Sequence, residues 1–214
     1  GEKIPSVIKS FGKENEDSQY DMSYYIKGRI ILPIYSEFGE LVAFATRKPS
    51  ASPGNSWWNL PFKKSHYVFL LDKTRKYIFD SNKVYIVEGY MDAILLQQAG
   101  IRNVVSIMGT ALTLRKIGLI ARYCNNVCIC MDADKNNAGQ IAQSSSVCLF
   151  RKVDFCESIS VIDGLPVGVD PDEYVIENGT DKFLAMEKTL TQAEIRKICS
   201  DVESRNHSKA KRDY

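Results

Sequence analysis

The sequence predicts an α/β fold in which a parallel sheet is flanked by crossover helices. Between residues 84 and 165, short apolar strands alternate with helices of about ten residues. The strands are apolar on both faces, which is typical of parallel sheets covered by helices on each side. Hydrophobic residues make up 44% of the 214-residue chain and charged residues 25%. This ordinary globular composition excludes a disordered, collagen-like or coiled-coil chain.

Residues 1–83 precede this alternation and are predicted to form a mixed α+β N-terminal subdomain with a basic character. A polar segment is followed by two predicted strands, Arg29–Tyr35 and Leu41–Thr46. Gly39 between them supplies a residue suited to a hairpin turn. A loop rich in Ser, Pro, Gly and Asn follows at 49–56.

Residues 84–165 contain the predicted parallel sheet, and residues 166–214 are predicted to form an acidic loop and a short helical C-terminal segment. In the third zone, Pro171 suits the first turn of a helix and Gly179 its end. The predicted strands of the second zone cover 84–87, 104–107 and 127–131, and its predicted helices cover 90–99, 113–123 and 137–151.

The cysteine pattern predicts free thiols in a reducing cytoplasm. Cys128 and Cys130 lie on the same face of an apolar predicted strand, so we expect both in the core. No Cys-x-x-Cys pair occurs, which disfavours a zinc ribbon or finger. No apolar run approaches the ~18 residues of a membrane helix. Because the first residue is Gly1 rather than Met, we expect a fragment of a larger protein.

Acidic residues follow two of the three predicted strands. Glu88 comes directly after the first strand, and Asp132 and Asp134 come directly after the third, while a turn containing Gly109 follows the second. In an open parallel sheet, ligands bind beyond the carboxyl ends of the strands. Asp92, four residues after Glu88, can face back toward it from the first helical turn.

Carboxylates crowded at one sheet edge repel one another, and divalent cations relieve that repulsion. Oxygen ligands of this kind favour Mg²⁺ or Mn²⁺ over zinc. Asp170 and Asp172 form a second acidic pair with the same spacing as the pair at the third strand. The sequence therefore predicts a divalent metal site.

Each acidic motif alone also has an ordinary structural explanation. A helix dipole favours an acid such as Glu88 near a helix N-terminus, and Asp-x-Asp pairs are frequent by chance. Their occurrence at adjacent strand ends, one βαβ unit apart, is more specific. The phosphate-binding patterns Gly-x-x-x-x-Gly-Lys-Ser/Thr and Gly-x-Gly-x-x-Gly, and the hydrolase elbow Gly-x-Ser-x-Gly, are absent from the sequence.

Four blocks of the sequence resemble one family. The segments Val84–Asp92 and Gly109–Ala111, and Asp132-Ala-Asp134 with Ala138-Gly139, resemble the toprim fold, and Glu-Gly-Tyr-Met-Asp is typical of bacterial and phage DNA primases of the DnaG type. Upstream, residues 28–34 and 42–47 resemble the hairpin of the primase N-terminal subdomain, and Asp-Pro-Asp at 170–172 resembles the acidic motif after the toprim core. The toprim block departs from the usual Asp-Gly-Asp by having Ala133.

The resemblance implies a DNA primase core, a DNA-directed RNA polymerase that makes short RNA primers by metal-dependent nucleotidyl transfer during DNA replication. It implies Mg²⁺ or Mn²⁺ as cofactor, a single-stranded DNA template, ribonucleoside triphosphates and a replicative helicase as partners, no membrane, and the cytoplasm of a bacterial cell or phage-infected host. The implied catalytic acids are Glu88, Asp132 and Asp134, with Asp92, Asp170 and Asp172 around them as further metal ligands.

The resemblance also implies nucleic-acid and nucleotide contacts. Arg29 and Arg47 match basic positions of the family's groove. Asn59 resembles the asparagine of the family's Lys-Tyr-x-Asn-x-Pro block, which here is Ser-Trp-Trp-Asn-Leu-Pro at 56–61, so Lys63 or Lys64 is expected to supply the missing charge. Residues 47–76 carry a net charge of +6, and aromatic side chains, Trp57 among them, are interleaved with that charge for base stacking.

Two alternatives remain open at this point. A toprim nuclease of the overcoming-lysogenisation or ribosomal-RNA-maturation type shares the glutamate and Asp-x-Asp but lacks the upstream hairpin. A non-catalytic toprim nucleic-acid-binding module is expected to have lost an acid, and none is lost here. The total charge of +2 does not argue against binding of nucleic acid, because it is the sum of +4 for residues 1–83, zero for 84–165 and −2 for 166–214.

Overall fold

The computed structural model describes residues 26–49, 56–109, 111–133 and 135–210. The polar N-terminal segment up to residue 25 and most of the loop expected at 49–56 lie outside these residues. The chain divides into two compact units, residues 1–63 and 64–214. The sequence suggested a boundary after residue 83, whereas the second unit begins at residue 64. Its first α-helix, α1 (Leu71–Ser81), packs on two strands of the same unit.

The first unit contains an antiparallel three-stranded sheet in the order β1-β2-β3. Its strands are β1 (Ile30–Tyr35), β2 (Leu41–Arg47) and β3 (Trp57–Asn59). The predicted hairpin is therefore present, and Gly39 in its turn has a φ of 88°, which a residue without a Cβ adopts most easily. The third strand was not predicted, because three residues carry too little alternation to be recognised.

The second unit is built on a five-stranded sheet in the order β5-β4-β6-β7-β8. Strands β4 to β7 are mutually parallel where they pair, and β8 joins β7 in the antiparallel direction. The predicted α/β architecture is confirmed. The strands are β4 (Lys83–Val87), β5 (Val104–Ser106), β6 (Asn126–Cys130), β7 (Ser158–Ile162) and β8 (Glu187–Thr189).

Helices connect these strands and follow them along the chain. The predicted helices after the first three strands of the sheet are found, with ends that differ by a few residues. After α1 these are α2 (Tyr90–Gln98), α3 (Leu114–Ile120), α4 (Ala138–Arg151), α5 (Pro171–Asn178), α6 (Thr180–Leu184) and α7 (Gln192–Ala210). Pro171 opens α5 and Gly179 ends it, as predicted.

The largest apolar cluster lies within the second unit, between residues 68 and 199. Ile86 and Ile129 of neighbouring strands and Phe150 of α4 are completely buried in it. All six cysteines are free, and Cys128 and Cys130 are completely buried, in agreement with the prediction. Within the described residues, no helix is long and apolar enough to cross a membrane.

Candidate metal centre and nucleic-acid face

Glu88 lies at the carboxyl end of β4, where the neighbouring strand β5 also ends. Its backbone oxygen accepts hydrogen bonds from the Gly109 amide and from the Ser106 hydroxyl, both at 2.8 Å. These two bonds tie the end of β4 to the turn that follows β5. The side chain of Glu88 is half-buried at this edge.

Asp92 is held in the first turn of α2 by a bond to the chain just before the helix. Its Oδ2 accepts a hydrogen bond from the Gly89 amide at 2.9 Å, which caps the helix N-terminus. The side chain is only 6% exposed. Burial first, then the nearby charges of Asp132 and Asp172 and a hydrogen bond with Asp172, raise the pKa of the Asp92 carboxyl.

Asp132 lies two residues after the end of β6. Helix α4 packs closely on the backbone of Asp132. A Cβ atom added at Gly139, in the first turn of α4, would lie 1.9 Å from the backbone oxygen of Asp132. Only glycine permits this approach. The close packing fixes the carboxyl end of β6 against the N-terminal part of α4.

Asp170 and Asp172 approach the site through packing between α2 and α5. Asp170 is the N-cap residue of α5, and Asp172 lies in its first turn. The chain before this helix is fastened to the end of β6, because the Gly168 amide donates to the Ala133 oxygen at 2.5 Å. The structure therefore brings Asp92, Asp132 and Asp172 together from three separate segments.

Five of the six predicted metal ligands lie within the described residues. Asp134 lies outside the described residues, and among those described, no three Asp, Glu, His or Cys side chains stand ready to hold a metal ion. The carboxylates nevertheless fit a divalent cation chemically. They supply oxygen ligands, and the charges of Asp132 and Asp172, which raise the pKa of Asp92 in addition to its burial, are what a cation would neutralise.

Three of the predicted nucleic-acid-binding residues share one face of the first unit's sheet. Arg47 pairs with Trp57 and Ala45 pairs with Asn59 across β2 and β3. Because side chains alternate along a strand, Arg47, Trp57 and Asn59 point to the same side. The Arg47 guanidinium lies 5.3 Å from the centre of the Trp57 ring.

The remaining basic candidates differ in their surroundings. Arg29 is bound within the first unit, where its guanidinium donates to the Thr46 hydroxyl at 2.7 Å and to the Ser56 oxygen at 2.9 Å. Lys63 is exposed at the end of that unit. Lys64 belongs to the second unit, where its ammonium donates to the Met108 oxygen at 3.4 Å and burial lowers its pKa.

One charged residue near the site was missed by the sequence analysis. Lys116 in α3 is completely buried, and its ammonium donates to the Ile107 oxygen at 2.7 Å. A signal was present, because Lys116 precedes Leu119 and Ile120 by three and four residues and so falls on the apolar side of the helix.

The sequence of the chain is similar to one protein family and to curated DNA primases. The family described as toprim-like matches residues 85–175. The DNA primase of Listeria monocytogenes is 31% identical over 175 residues, which are 79% of this chain and 27% of that protein. The DNA primase of Clostridium acetobutylicum is 37% identical over 165 residues, 75% of this chain and 26% of that protein. The chain thus spans about a quarter of the length of these relatives.

Solved structures of DNA primases also resemble the chain. The Aquifex aeolicus primase, with its zinc-binding and RNA polymerase domains, has a TM-score of 0.67 at 30% identity and covers 76% of this chain and 41% of its own. A DnaG primase catalytic domain bound to single-stranded DNA has a TM-score of 0.65 at 30% identity, covering 74% of this chain and 52% of its own. A primase domain from Pseudomonas aeruginosa has a TM-score of 0.70 at 26% identity, covering 87% and 61%.

Proposed function

Because the chain contains a toprim-like domain and is homologous to DnaG-type DNA primases over about three quarters of its length, we propose that it is the catalytic core of such a primase. In this proposal it synthesises short RNA primers on single-stranded DNA by nucleotidyl transfer. The observation that carries the proposal is the group of carboxylates, Asp92, Asp132 and Asp172, gathered at the carboxyl edge of a parallel sheet. That edge is where ligands bind in sheets of this kind.

In the proposed mechanism the carboxylates at this edge hold divalent cations, Mg²⁺ or Mn²⁺. The central ligands would be Glu88, Asp132 and Asp134, with Asp92, Asp170 and Asp172 as further ligands. A bound cation would neutralise charge on the α-phosphate and the departing pyrophosphate and lower the pKa of the attacking 3′-hydroxyl. Glu88 either shares in this ligation or accepts the proton of the hydroxyl, and its backbone bonds to the turn after β5 hold it in place for both roles.

The template is proposed to bind the first unit by backbone electrostatics and base stacking. Arg47, Trp57 and Asn59 share one face there, with Arg29 and Lys63 in the same unit. Lys64 is proposed to contact nucleotide phosphate from the second unit. Ribonucleoside triphosphates would be the substrates, a replicative helicase the partner, and the cytoplasm of a bacterial or phage-infected cell the place of action.

The proposal is tested by changing Asp132→Asn, which keeps the volume of the side chain and removes its charge. We expect primer synthesis from labelled ribonucleotides on single-stranded DNA with Mg²⁺ to fall at least about a thousandfold, because a carboxylate ligand of the catalytic cation is lost. The matched control is Asp154→Asn, an exposed acid in the connection between α4 and β7, which should retain full activity.

The same assay separates the alternative functions. Full primer synthesis by the Asp132→Asn protein would contradict the proposal. If the unchanged chain makes no primer but cleaves the template with Mg²⁺, the toprim nuclease is the better assignment. Binding of the template without either reaction would favour a non-catalytic toprim module.

A further inference from the structure

Lys116 is a charged residue that is completely buried in the second unit. It lies in α3 next to Ile117, a member of the main apolar cluster. Removing an ammonium from water is costly unless hydrogen bonds compensate. The ammonium of Lys116 donates to the backbone oxygen of Ile107 at 2.7 Å. A position that an apolar residue could fill thus holds a lysine aimed at the end of β5.

The Ile107 carbonyl that Lys116 contacts belongs to an unusual turn, residues 106–109. Met108 has a φ of 65° and Gly109 a φ of 64°, so two successive residues adopt the left-handed conformation. Met108 is not glycine and is 1% exposed, so this conformation has to be enforced by the surroundings. The Ser106 hydroxyl accepts from the Met108 amide at 2.8 Å, and the Lys64 ammonium donates to the Met108 oxygen at 3.4 Å.

This turn is the support on which the backbone of Glu88 rests. The Gly109 amide and the Ser106 hydroxyl both donate to the Glu88 oxygen, each at 2.8 Å. A change in the path of the turn therefore moves the carboxyl end of β4. Lys116 has no exposed surface, so it acts on the end of β4 through its hydrogen bond to the Ile107 oxygen.

We infer that Lys116 is a positioning residue for the proposed nucleotidyl transfer: it holds the 106–109 turn in its left-handed conformation and, through the turn, fixes the backbone at Glu88. The inference rests on the proposed function, because that function gives Glu88 its role. Lys116 acts through the Ile107 carbonyl and touches no substrate.

The test compares the 214-residue chain with its Lys116→Met variant, in which a side chain of similar length has no donor. We expect cooperative unfolding to persist and the Gly109 amide to exchange with deuterium at least about tenfold faster. We expect kcat for primer synthesis to fall about 10- to 100-fold, with KM for ribonucleotides within about threefold, because small displacements at a reacting centre cost rates of this order. Lys152→Met, at an exposed lysine, is the control and should change neither quantity.

Lys116→Gln keeps a donor on a shorter side chain. We expect its amide exchange and its kcat to lie between those of the unchanged chain and those of Lys116→Met. If Lys116→Met does not fold, the comparison of Lys116→Gln with the unchanged chain decides the matter. Wild-type exchange at Gly109 in Lys116→Met, or in Lys116→Gln if that is the folded variant, would overturn the inference. Equal losses of kcat in Lys116→Met and Lys116→Gln would also overturn the inference. If the unchanged chain makes no primer, the proposed function fails, whereas exchange at Gly109 still decides whether Lys116 holds the turn.

Discussion

Gly139 is the glycine at which an added Cβ would come closest to another atom of the candidate site. A Cβ at this position would stand 1.9 Å from the Asp132 oxygen, well inside any permitted contact. The obstructing atom is backbone, so no side-chain rotation can make room. Either α4 or the end of β6 has to move, and Asp132 moves with the latter.

We predict that Gly139→Ala lowers the free energy of unfolding by about 1–3 kcal/mol or more, the usual cost of overpacking. The variant should also bind Mn²⁺ more weakly, which electron paramagnetic resonance can measure. The matched control is Gly118→Ala in α3, where the glycine is exposed and a Cβ meets no atom within 4 Å.

At Gly118 the same substitution should raise the free energy of unfolding by about 0.5–1 kcal/mol, because alanine loses less backbone entropy in a helix than glycine. Urea unfolding of both variants gives the comparison. Equal stability of the two variants would show that α4 does not press on the end of β6.

At the scale of elements, the pairing of β2 with β3 assigns the two tryptophans to opposite faces. Trp57 is opposite Arg47, while Trp58 is opposite Thr46, and its ring lies 5.9 Å from that of Phe44. Trp57 shares its face with the polar side chains of Arg47 and Asn59. Adjacent, chemically identical residues thus have different expected roles.

We predict that Trp57→Ala weakens binding of single-stranded DNA by about 1–3 kcal/mol, the usual worth of one stacked base. Trp58→Ala should instead lower the free energy of unfolding, since it removes a ring packed against Phe44, and leave the affinity of the folded protein within about threefold. Fluorescence anisotropy with a labelled oligonucleotide, together with urea unfolding, separates the two effects. Loss of affinity in Trp58→Ala alone would reverse the assignment.

The sequence predicted the elements that have a strong local pattern. Between residues 84 and 151, strands apolar on both faces alternate with helices, and each is found. Strand β8 escaped recognition because Glu187, Lys188 and Thr189 include no apolar residue. Helix α1 escaped because four charged residues interrupt its short apolar stripe between Leu71 and Ile78.

The candidate site was predictable only in part, for a related reason. Strand ends place Glu88 and Asp132 near one edge by local rules alone. The approach of Asp172 to Asp92 depends on packing between α2 and α5, which no local pattern encodes. Lys116 was overlooked because a lysine is expected to be exposed, and tertiary packing overrides that expectation here.

At the scale of the whole molecule, the second unit has its own core. The main apolar cluster draws its residues from positions 68 to 199, and the unit begins at Lys64. A compact unit with a complete core can fold without its neighbour. The acidic residues belong to this unit, whereas Arg29, Arg47 and Trp57 belong to the first.

We predict that residues 64–214, produced alone, unfold cooperatively in urea and bind Mn²⁺ about as tightly as the full chain, because the core and the carboxylates are both retained. Primer synthesis should be lost, since the proposed template face is missing. The full chain measured in parallel is the control. A fragment that melts without cooperativity would show that the first unit is needed for folding.

The two borders of the five-stranded sheet are both protected. Along β5, the amide and carbonyl of Ser106 are hydrogen-bonded to Phe69. At the other border, β8 is three residues long and charged, with Lys188 paired to Glu194 at 2.7 Å. Short, charged or covered margins of this kind resist strand addition by neighbouring molecules, a common route to aggregation. The strand ends that carry the acidic residues thus lie in a sheet whose two lateral borders are unfavourable for pairing with a strand of another molecule.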